Sequence, residues 1–308
     1  MAVWENFVGV TVPPTQAGTP KPRFSLTSDI LSFRRCTRQY GYFGNDGFVP
    51  AQATQIFYGT IVHQVLDRCH RHYWGLLGHP KSTMPKDADI DQYFAEVQNG
   101  LRSRGVRPAS QAVAEKASRV IKIFNRVEGP VLYPLIRDTE FRLEKEEDQY
   151  VLRGVVDVLA RDASAPDDPA RMEIWDYKGT RFPELSSTDL RDYTWQMCVY
   201  AELYRVRVGT YPAKAILYFL NELDQDPKPK SRPLRAVYEV KFTKEKVQQA
   251  LKEFSITTRA IIRCRQDDKW PVPKEAPHKE TCDICDIRWN CPVPKVPYKL
   301  RLPIVQQR

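Results

Sequence analysis

The spacing of apolar residues along the chain predicts both helices and strands. Helical spacing, together with N-cap residues, predicts helices over residues 27–36, 51–77, 90–128, 189–208 and 243–265. Runs rich in apolar and β-branched residues predict strands near residues 138–145, 149–161, 172–178, 213–220 and 234–242. Helices followed by three strands, a helix, two strands and a last helix suit an α/β fold, with a sheet covered by helices on both faces.

Changes in composition divide the chain further. A stretch with several Pro, Thr and Gly and little periodicity opens the chain, and a Pro-rich stretch with three cysteines closes it. The predicted division is an N-terminal arm at 1–23, N-terminal helices at 24–79, a helical insertion at 80–130, a core at 131–268 and a Cys-rich C-terminal segment at 269–308. The first helix is expected to begin at Thr27 or Ser28, because both are good N-cap residues.

Composition adds a moderate positive charge to this picture. The 308 residues include 47 Lys and Arg against 38 Asp and Glu, for a formal net charge of +9. This surplus favours a nucleic-acid partner only weakly, since a soluble protein without such a partner can carry it equally well. No apolar run reaches the length of a membrane span, and the opening residues lack the basic and apolar regions of a secretory signal. We therefore expect a cytoplasmic protein that binds no membrane.

Two of the predicted strands carry carboxylates that can meet. The strand with Asp157 is followed, after a loop rich in Asp, Pro and Ala, by the strand with Asp176 and Lys178. In a hairpin the two acids face each other, and Lys178 lies on the same face as Asp176. Adjacent carboxylates repel by roughly 4 kcal/mol at an effective dielectric constant of 20, and a divalent cation removes that cost. The pattern predicts a Mg²⁺ or Mn²⁺ site equipped for phosphodiester hydrolysis, whereas the alternative is an exposed hairpin with a salt bridge.

Three further residues lie on helices before and after this hairpin. His63 is in the middle of an upstream helix, where its alternative role is that of a helical histidine bonded to a backbone group. Gln196 and Tyr200 are four residues apart and therefore share one face of a downstream helix. Together with the Gly-x-x-Asp of residues 154–157 and the Asp-x-Lys of residues 176–178, they resemble the signature of PD-(D/E)xK nucleases, in particular the RecB-type group.

The resemblance implies a fold, a reaction and residue roles. The fold would be a restriction-endonuclease-like mixed β-sheet flanked by helices. The reaction would be metal-dependent hydrolysis of DNA, by an exonuclease of single strands or also by an endonuclease. His63, Asp157, Asp176 and the Tyr177 carbonyl would surround the metal. Lys178 would orient or help deprotonate the attacking water, while Gln196 and Tyr200 would support the lysine and the DNA backbone. Family members often have Glu at the position of Asp176, and either carboxylate coordinates Mg²⁺.

A cysteine cluster suggests a second cofactor. Cys282, Cys285 and Cys291 lie close together near the C-terminus, and Cys36 is the best candidate for a fourth ligand. Four thiolates suit either a 4Fe–4S cluster or a zinc ion, and the spacing leaves both open. RecB-type nucleases with an iron–sulfur cluster show a similar arrangement, so the resemblance implies a structural 4Fe–4S cluster that ties the two ends of the chain together.

Basic and aromatic residues around these cysteines suggest single-stranded DNA as a ligand, through phosphate contacts and base stacking. They are Arg34, Arg35, Arg38, Tyr40, Tyr42, Arg288 and Trp289. The alternative is a solvated charged face over buried aromatic rings. The helical insertion is expected to form an arch over the cleft that admits only a strand or an end.

The motifs are most similar to those of the CRISPR-associated adaptation exonuclease family. This resemblance implies single-stranded or overhanging DNA ends as substrate and a CRISPR integrase complex or a helicase as partner, but stand-alone repair exonucleases of the RecB type share the motifs. A second hypothesis is a catalytically idle nuclease fold that serves as a DNA-binding or scaffold subunit, and the intact acids and lysine count against it. A zinc-ribbon adaptor would explain the cysteines and leave the acidic hairpin unexplained.

Overall fold

A computed structural model describes residues 20–45, 54–226, 229–273, 277, 281–282, 285–288 and 291. Within this part of the chain, the strands are β1 Arg23–Ser25, β2 Ile136–Glu146, β3 Val151–Ala160, β4 Glu173–Lys178, β5 Lys214–Phe219 and β6 Val237–Val240. The α-helices are α1 Ser32–Arg35, α2 Thr37–Tyr40, α3 Thr54–Tyr73, α4 Asp87–Ser103, α5 Gln111–Val127, α6 Gly129–Leu132, α7 Thr188–Val208 and α8 Lys244–Asp267.

The six strands form one mixed sheet in which β3 has three partners. Strand β2 runs antiparallel along one edge of β3. On the other edge, β1 lies parallel to the first three residues of β3, and β4 lies antiparallel to the last three. Strand β5 is parallel to β4, and β6 is antiparallel to β5. Residues 154–157 of β3 therefore have no strand partner on the β4 side within the described chain.

Helices cover both faces of this sheet, which confirms the predicted mixed α/β fold. The first core layer packs α7 and α8 on one face, with Leu203 and Phe254 buried against the sheet. The second layer packs α3, α4 and α5 on the other face, with Ile61 and Phe124 among its buried residues. Successive residues of β5 enter opposite layers, as expected for a strand that is buried on both sides.

The N-terminal region departs from the prediction. Its first helical segment begins at Leu26 instead of Thr27 or Ser28, because the Ser25 hydroxyl accepts the Ser28 N–H and caps the segment. Strand β1 was not predicted, since three residues are too short to show periodicity, and its first residue belonged to the predicted arm. Residues 1–19 of that arm lie outside the described chain.

The remaining predicted elements are present with shifted boundaries. The helical stretch predicted over 90–128 is two helices, α4 and α5, separated by a turn at residues 104–110. The last predicted strand is reduced to β6, because Leu234–Ala236 form a 3-10 turn before it. Among the described helices, none is both long enough and apolar enough to cross a membrane.

Candidate active site

Asp157 and Asp176 lie where β3 and β4 diverge. The pairing of the two strands ends at Val158 and Trp175, and an aspartate follows on each strand toward the open end. Beyond this point, the Tyr177 N–H donates to Asp157 Oδ2 at 2.7 Å instead of to a backbone carbonyl of β3. The Asp157 side chain therefore closes the end of the strand ladder, and the backbone of β4 fixes its position.

The alternation of side chains between the two faces of the sheet is interrupted in β3 at this aspartate. Val156 and Val158 are two residues apart, yet they belong to opposite core layers. Glu140, which lies opposite Asp157 in β2, has a φ of +49°. Residues other than glycine rarely adopt that conformation, and such outliers concentrate at functional sites. The break in the alternation allows one aspartate to contact both β4 and the helix α3 that covers the second layer.

Asp176 and Lys178 are joined by the side-chain amide of Gln196. Lys178 Nζ lies 2.6 Å from Asp176 Oδ2. Gln196 Oε1 accepts from Lys178 Nζ at 2.9 Å, and Gln196 Nε2 donates to Asp176 Oδ1 at 3.1 Å. Gln196 and Asp176 are both buried. The acid and the lysine are thus held in one orientation by a third side chain from α7.

Tyr200 extends this network to β3. Gln196 Nε2 donates to the Tyr200 hydroxyl at 3.0 Å. The Tyr200 ring lies directly on Gly154, where an added Cβ would come within 2.6 Å of Tyr200 Cε1. The glycine of the Gly-x-x-Asp pattern is therefore required by the close approach of α7 to β3.

His63 on α3 completes the set of side chains around the two acids. Its Nδ1 lies 3.1 Å from Asp157 Oδ1. Burial alone would lower the pKa of His63, but the carboxylate of Asp157, and more weakly that of Asp176, raises it to about 9. Burial likewise acts to raise the pKa of Asp157, yet the charge and hydrogen bond of His63 hold it below its usual value. Burial raises the pKa of Asp176 despite Lys178, and the charge of Asp157 adds to the rise.

Tyr193 is a further residue of the site, and its role was not predicted from the sequence. Lys178 Nζ lies 4.3 Å from the centre of the Tyr193 ring, which is within the range of a cation–π contact. Tyr193 precedes Gln196 by three residues, so both side chains lie on the same side of α7. The three-residue spacing from Gln196 was the sequence feature that could have indicated Tyr193. It indicates a contact with Lys178 only once Gln196 is known to contact that lysine.

The residues at the strand divergence fit a divalent cation. Asp157 and Asp176 provide two adjacent, largely buried carboxylates, and hard oxygen ligands of this kind suit Mg²⁺ or Mn²⁺. The Tyr177 side chain points away from them into the second core layer, so only its backbone belongs to the site. Within the described residues, no three His, Cys, Asp or Glu side chains form a metal-binding group; here His63 and Lys178 pair with the acids.

The four predicted cysteines line one small cavity. They are Cys36 at the start of α2 and Cys282, Cys285 and Cys291 of the C-terminal segment. The Gln39 N–H donates to Cys36 Sγ at 3.5 Å, and its side chain donates to the Thr281 carbonyl at 3.3 Å. Burial raises the pKa of the Cys36 thiol, and the nearby Cys285 and Cys291 add to this. Among the described residues these thiols do not form a group that could hold a metal ion. Four thiols are nevertheless the ligand type that both an iron–sulfur cluster and zinc require.

Two of the residues predicted to contact DNA have partners within the protein. Tyr40 is buried, and its hydroxyl bonds Asp29. The Arg34 guanidinium lies 4.6 Å from the Trp195 ring centre and also pairs with Asp192. Tyr40 is therefore a core residue and not a stacking platform, and the charge of Arg34 is partly neutralised. Trp289 lies outside the described residues.

Comparison with known proteins places the chain in a family. The sequence model of the PD-(D/E)XK nuclease superfamily matches residues 25–292. An exonuclease candidate from Eubacterium rectale has a similar structure, with a TM-score of 0.53 and 15% identity over 90% of this chain and 91% of its own. The protein SSO0001 gives a TM-score of 0.34 at 14% identity over 76% of this chain and 85% of its own. No curated protein sequence matches. A match over most of the length makes this chain a member of the PD-(D/E)XK nuclease superfamily.

Proposed function

We propose that the protein is a divalent-metal-dependent DNA nuclease that acts as an exonuclease on single-stranded or overhanging ends. The observation that carries the proposal is the convergence of Asp157, Asp176 and Lys178 at the divergence of β3 and β4. Membership of a nuclease superfamily supports the same reaction. The Eubacterium rectale structure supports the fold on which that site is built.

In this proposal, each residue of the site has a defined role. Asp157, Asp176, the Tyr177 carbonyl and His63 would hold Mg²⁺ or Mn²⁺, which when bound supplies a Lewis acid and an activated water. Lys178 has three donor hydrogens, and it contacts Asp176 and Gln196. A further donor can hold a water or a non-bridging phosphate oxygen. Gln196 and Tyr200 are positioning residues, because they fix the lysine and the acid relative to β3.

We also propose a structural 4Fe–4S cluster on Cys36, Cys282, Cys285 and Cys291. The support is the shared cavity and the RecB-type motifs of the sequence. Two guanidinium-bearing residues, Arg38 and Arg288, also line this cavity, and their charge would offset that of a thiolate-bound cluster. Visible absorption and iron analysis of the purified protein test this part directly; zinc without iron would overturn it.

The proposed biological setting is the processing of DNA ends in CRISPR adaptation or repair, with an integrase complex or a helicase as partner. The sequence motifs support this setting. A comparison of linear and circular single-stranded DNA tests the need for an end: faster cleavage of the linear form supports an exonuclease, and equal rates would show an endonuclease.

The decisive experiment measures cleavage of end-labelled single-stranded DNA with Mg²⁺ or Mn²⁺. Asp176→Ala and Lys178→Met should abolish cleavage, whereas Lys241→Met, which removes an exposed lysine on the surface, should not. If the wild-type protein binds DNA but cleaves none with either metal, the catalytically idle scaffold becomes the better hypothesis. Thermal unfolding of each variant establishes that the lost activity is not lost folding.

A further inference from the structure

Basic side chains of the three-helix unit α3–α5 fall into two groups. Those along the helix bodies have acidic partners, in the pairs Arg68–Glu96, Arg71–Asp67, Lys122–Asp91, Arg126–Asp87 and Arg119–Asp224. The junction of α4 and α5 carries Arg102, Arg104 and Arg107, all of which are exposed. None of these three forms an ion pair with an acid of the described chain, and no acidic residue occurs between Glu96 and Glu115. The positive charge of this junction is therefore available to a partner.

The backbone that carries these arginines is ordered. The N–H groups of Arg104 and Val106 donate to the Leu101 carbonyl at 3.0 and 2.9 Å, and the Gly105 N–H donates to Arg102 at 3.0 Å. Gly105 has a φ of +80°, a conformation that glycine adopts without strain. Val106 packs against the second core layer. A ligand would thus have to order only the arginine side chains, which keeps the entropic cost of binding low.

Contacts between the helices place this turn beside the half of α3 that faces the candidate site. Arg68 pairs with Glu96, and His72 Nδ1 lies 2.7 Å from the Tyr93 hydroxyl. The contact that lies further along α3 involves an earlier residue of α4, so the two helices are antiparallel. The end of α4 therefore lies alongside the first half of α3, which carries His63.

A second set of contacts connects the start of α5 with the same region. Lys116 Nζ, in the second turn of α5, lies 5.8 Å from the centre of the Tyr58 ring. That ring also contacts Gly179, the residue after Lys178, since a Cβ added there would lie 3.1 Å from Tyr58 Cδ1. The three-helix unit therefore has one end close to the end of β4 that carries Lys178. The turn between α4 and α5 lies at that end of the unit.

We propose that the arginine turn, formed by Arg102, Arg104 and Arg107, binds the phosphate backbone of the DNA strand that leads to the candidate active site. The proposal rests on the proposed function. Three guanidinium groups without acidic partners suit phosphate oxygens, which they bind in a bidentate manner. No large hydrophobic residue between Leu77 and Val131 is exposed, so the turn itself carries no apolar anchor of the kind typical of a protein interface. The contact would be independent of base sequence.

The test measures binding of a fluorescent single-stranded oligonucleotide without divalent metal, so that no strand is cleaved. The triple variant Arg102→Gln, Arg104→Gln, Arg107→Gln is compared with the wild type between about 0.1 and about 1 M NaCl. Loss of three phosphate contacts should make the slope of log Kobs against log salt less negative by about 2. Affinity at about 0.1 M salt should then fall roughly hundredfold, because the two lines converge near 1 M.

A matched control removes the same charge from a different face. Lys252, Arg259 and Arg263 are exposed on α8 and have no ion-pair partner among the described acids. Their triple Gln variant should leave the slope close to that of the wild type. Equal losses of slope in the two triple variants would overturn the arginine turn as a binding surface. Displacement of the oligonucleotide by polyglutamate at equal charge would overturn its assignment to nucleic-acid phosphate. A wild type that cleaves no DNA, but whose salt slope still depends on the three arginines, would refute the nuclease and retain the surface.

Discussion

Substitution of Gly154 by Ala tests whether the support of Lys178 extends back to β3. The new Cβ would lie 2.6 Å from Tyr200 Cε1 and 2.9 Å from Leu203 Cδ1. Carbon atoms in contact are about 3.5 to 4.0 Å apart, so Tyr200 has to move by about 1 Å. Overpacking of this kind costs about 1–3 kcal/mol of unfolding free energy. Tyr200 is bonded to Gln196, which holds Lys178, and the displacement therefore reaches the lysine.

The expected result is a loss of activity larger than the loss of stability explains. A misplacement of about 1 Å in a catalytic group can lower the rate by about a hundredfold. Urea unfolding would measure the stability, and single-turnover cleavage of labelled DNA would measure the rate. The control is Gly100→Ala on α4, where the added Cβ meets no atom within 4 Å; it should stabilise the protein by about 0.5–1 kcal/mol and leave the rate unchanged.

A second substitution separates crowding from other effects. Tyr200→Leu removes the ring that the new Cβ would meet, so it should recover part of the stability lost in Gly154→Ala without recovering activity. The coupling between the two sites, measured by a double-mutant cycle, is expected to be about 1 kcal/mol or more. A Gly154→Ala protein with unchanged stability and full cleavage activity would refute the packing of α7 on β3 described above.

Three other substitutions test different parts of the structure. Tyr193→Leu should lower the cleavage rate roughly 2- to 30-fold, since a cation–π contact with Lys178 contributes about 0.5–2 kcal/mol, whereas Tyr193→Phe keeps the ring and should keep the rate; equal rates for both would argue against the contact. Cys285→Ser should remove visible absorption and lower the unfolding temperature, and a coloured protein of unchanged stability would contradict the cysteine site. Burial, with the nearby His79, lowers the pKa of His72 below its usual 6.5. Because the unfolded state then binds the proton more readily, unfolding free energy should fall as the pH drops below about 6.5, and His72→Gln should flatten that dependence in urea titrations.

The sequence predicted the meeting of Asp157 and Asp176 because each lies in a strand and the two strands follow each other along the chain. Apolar neighbours identify both strands, and a loop rich in Asp, Pro and Ala between them allows a hairpin in which the two carboxylates can face each other. The four-residue spacing of Gln196 and Tyr200 was equally informative, since helix geometry alone puts them on one face. The hydrogen bonds of Gln196 to both Asp176 and Lys178 could not be predicted in the same way, because they depend on how α7 packs on the sheet.

Features that depend on docking or on single backbone angles could not be predicted from the sequence alone. The positive φ of Glu140 and the change of face at Asp157 occur within an ordinary apolar strand pattern. The contact of Tyr193 with Lys178 depends on the rotation of α7 about its axis. The burial of Tyr40 depends on Asp29 and Arg265, which are distant from each other in the sequence. Each of these is decided by tertiary packing, which local pattern does not encode.

The position of the site at the strand divergence explains why the side chains that contact its two aspartates come from helices on opposite faces of the sheet. Asp157 is paired with His63 from the helical layer on one face, and Asp176 is held by Gln196 from the layer on the other face. The two carboxylates can be brought together only where β3 and β4 diverge. In a continuous ladder the Tyr177 N–H would donate to a backbone carbonyl of β3, whereas here it donates to the Asp157 carboxylate. Their mutual repulsion is offset only when both layers are docked on the sheet. Loosening either layer should therefore weaken divalent-metal binding as well as folding, since the acids lose their fixed separation in both cases.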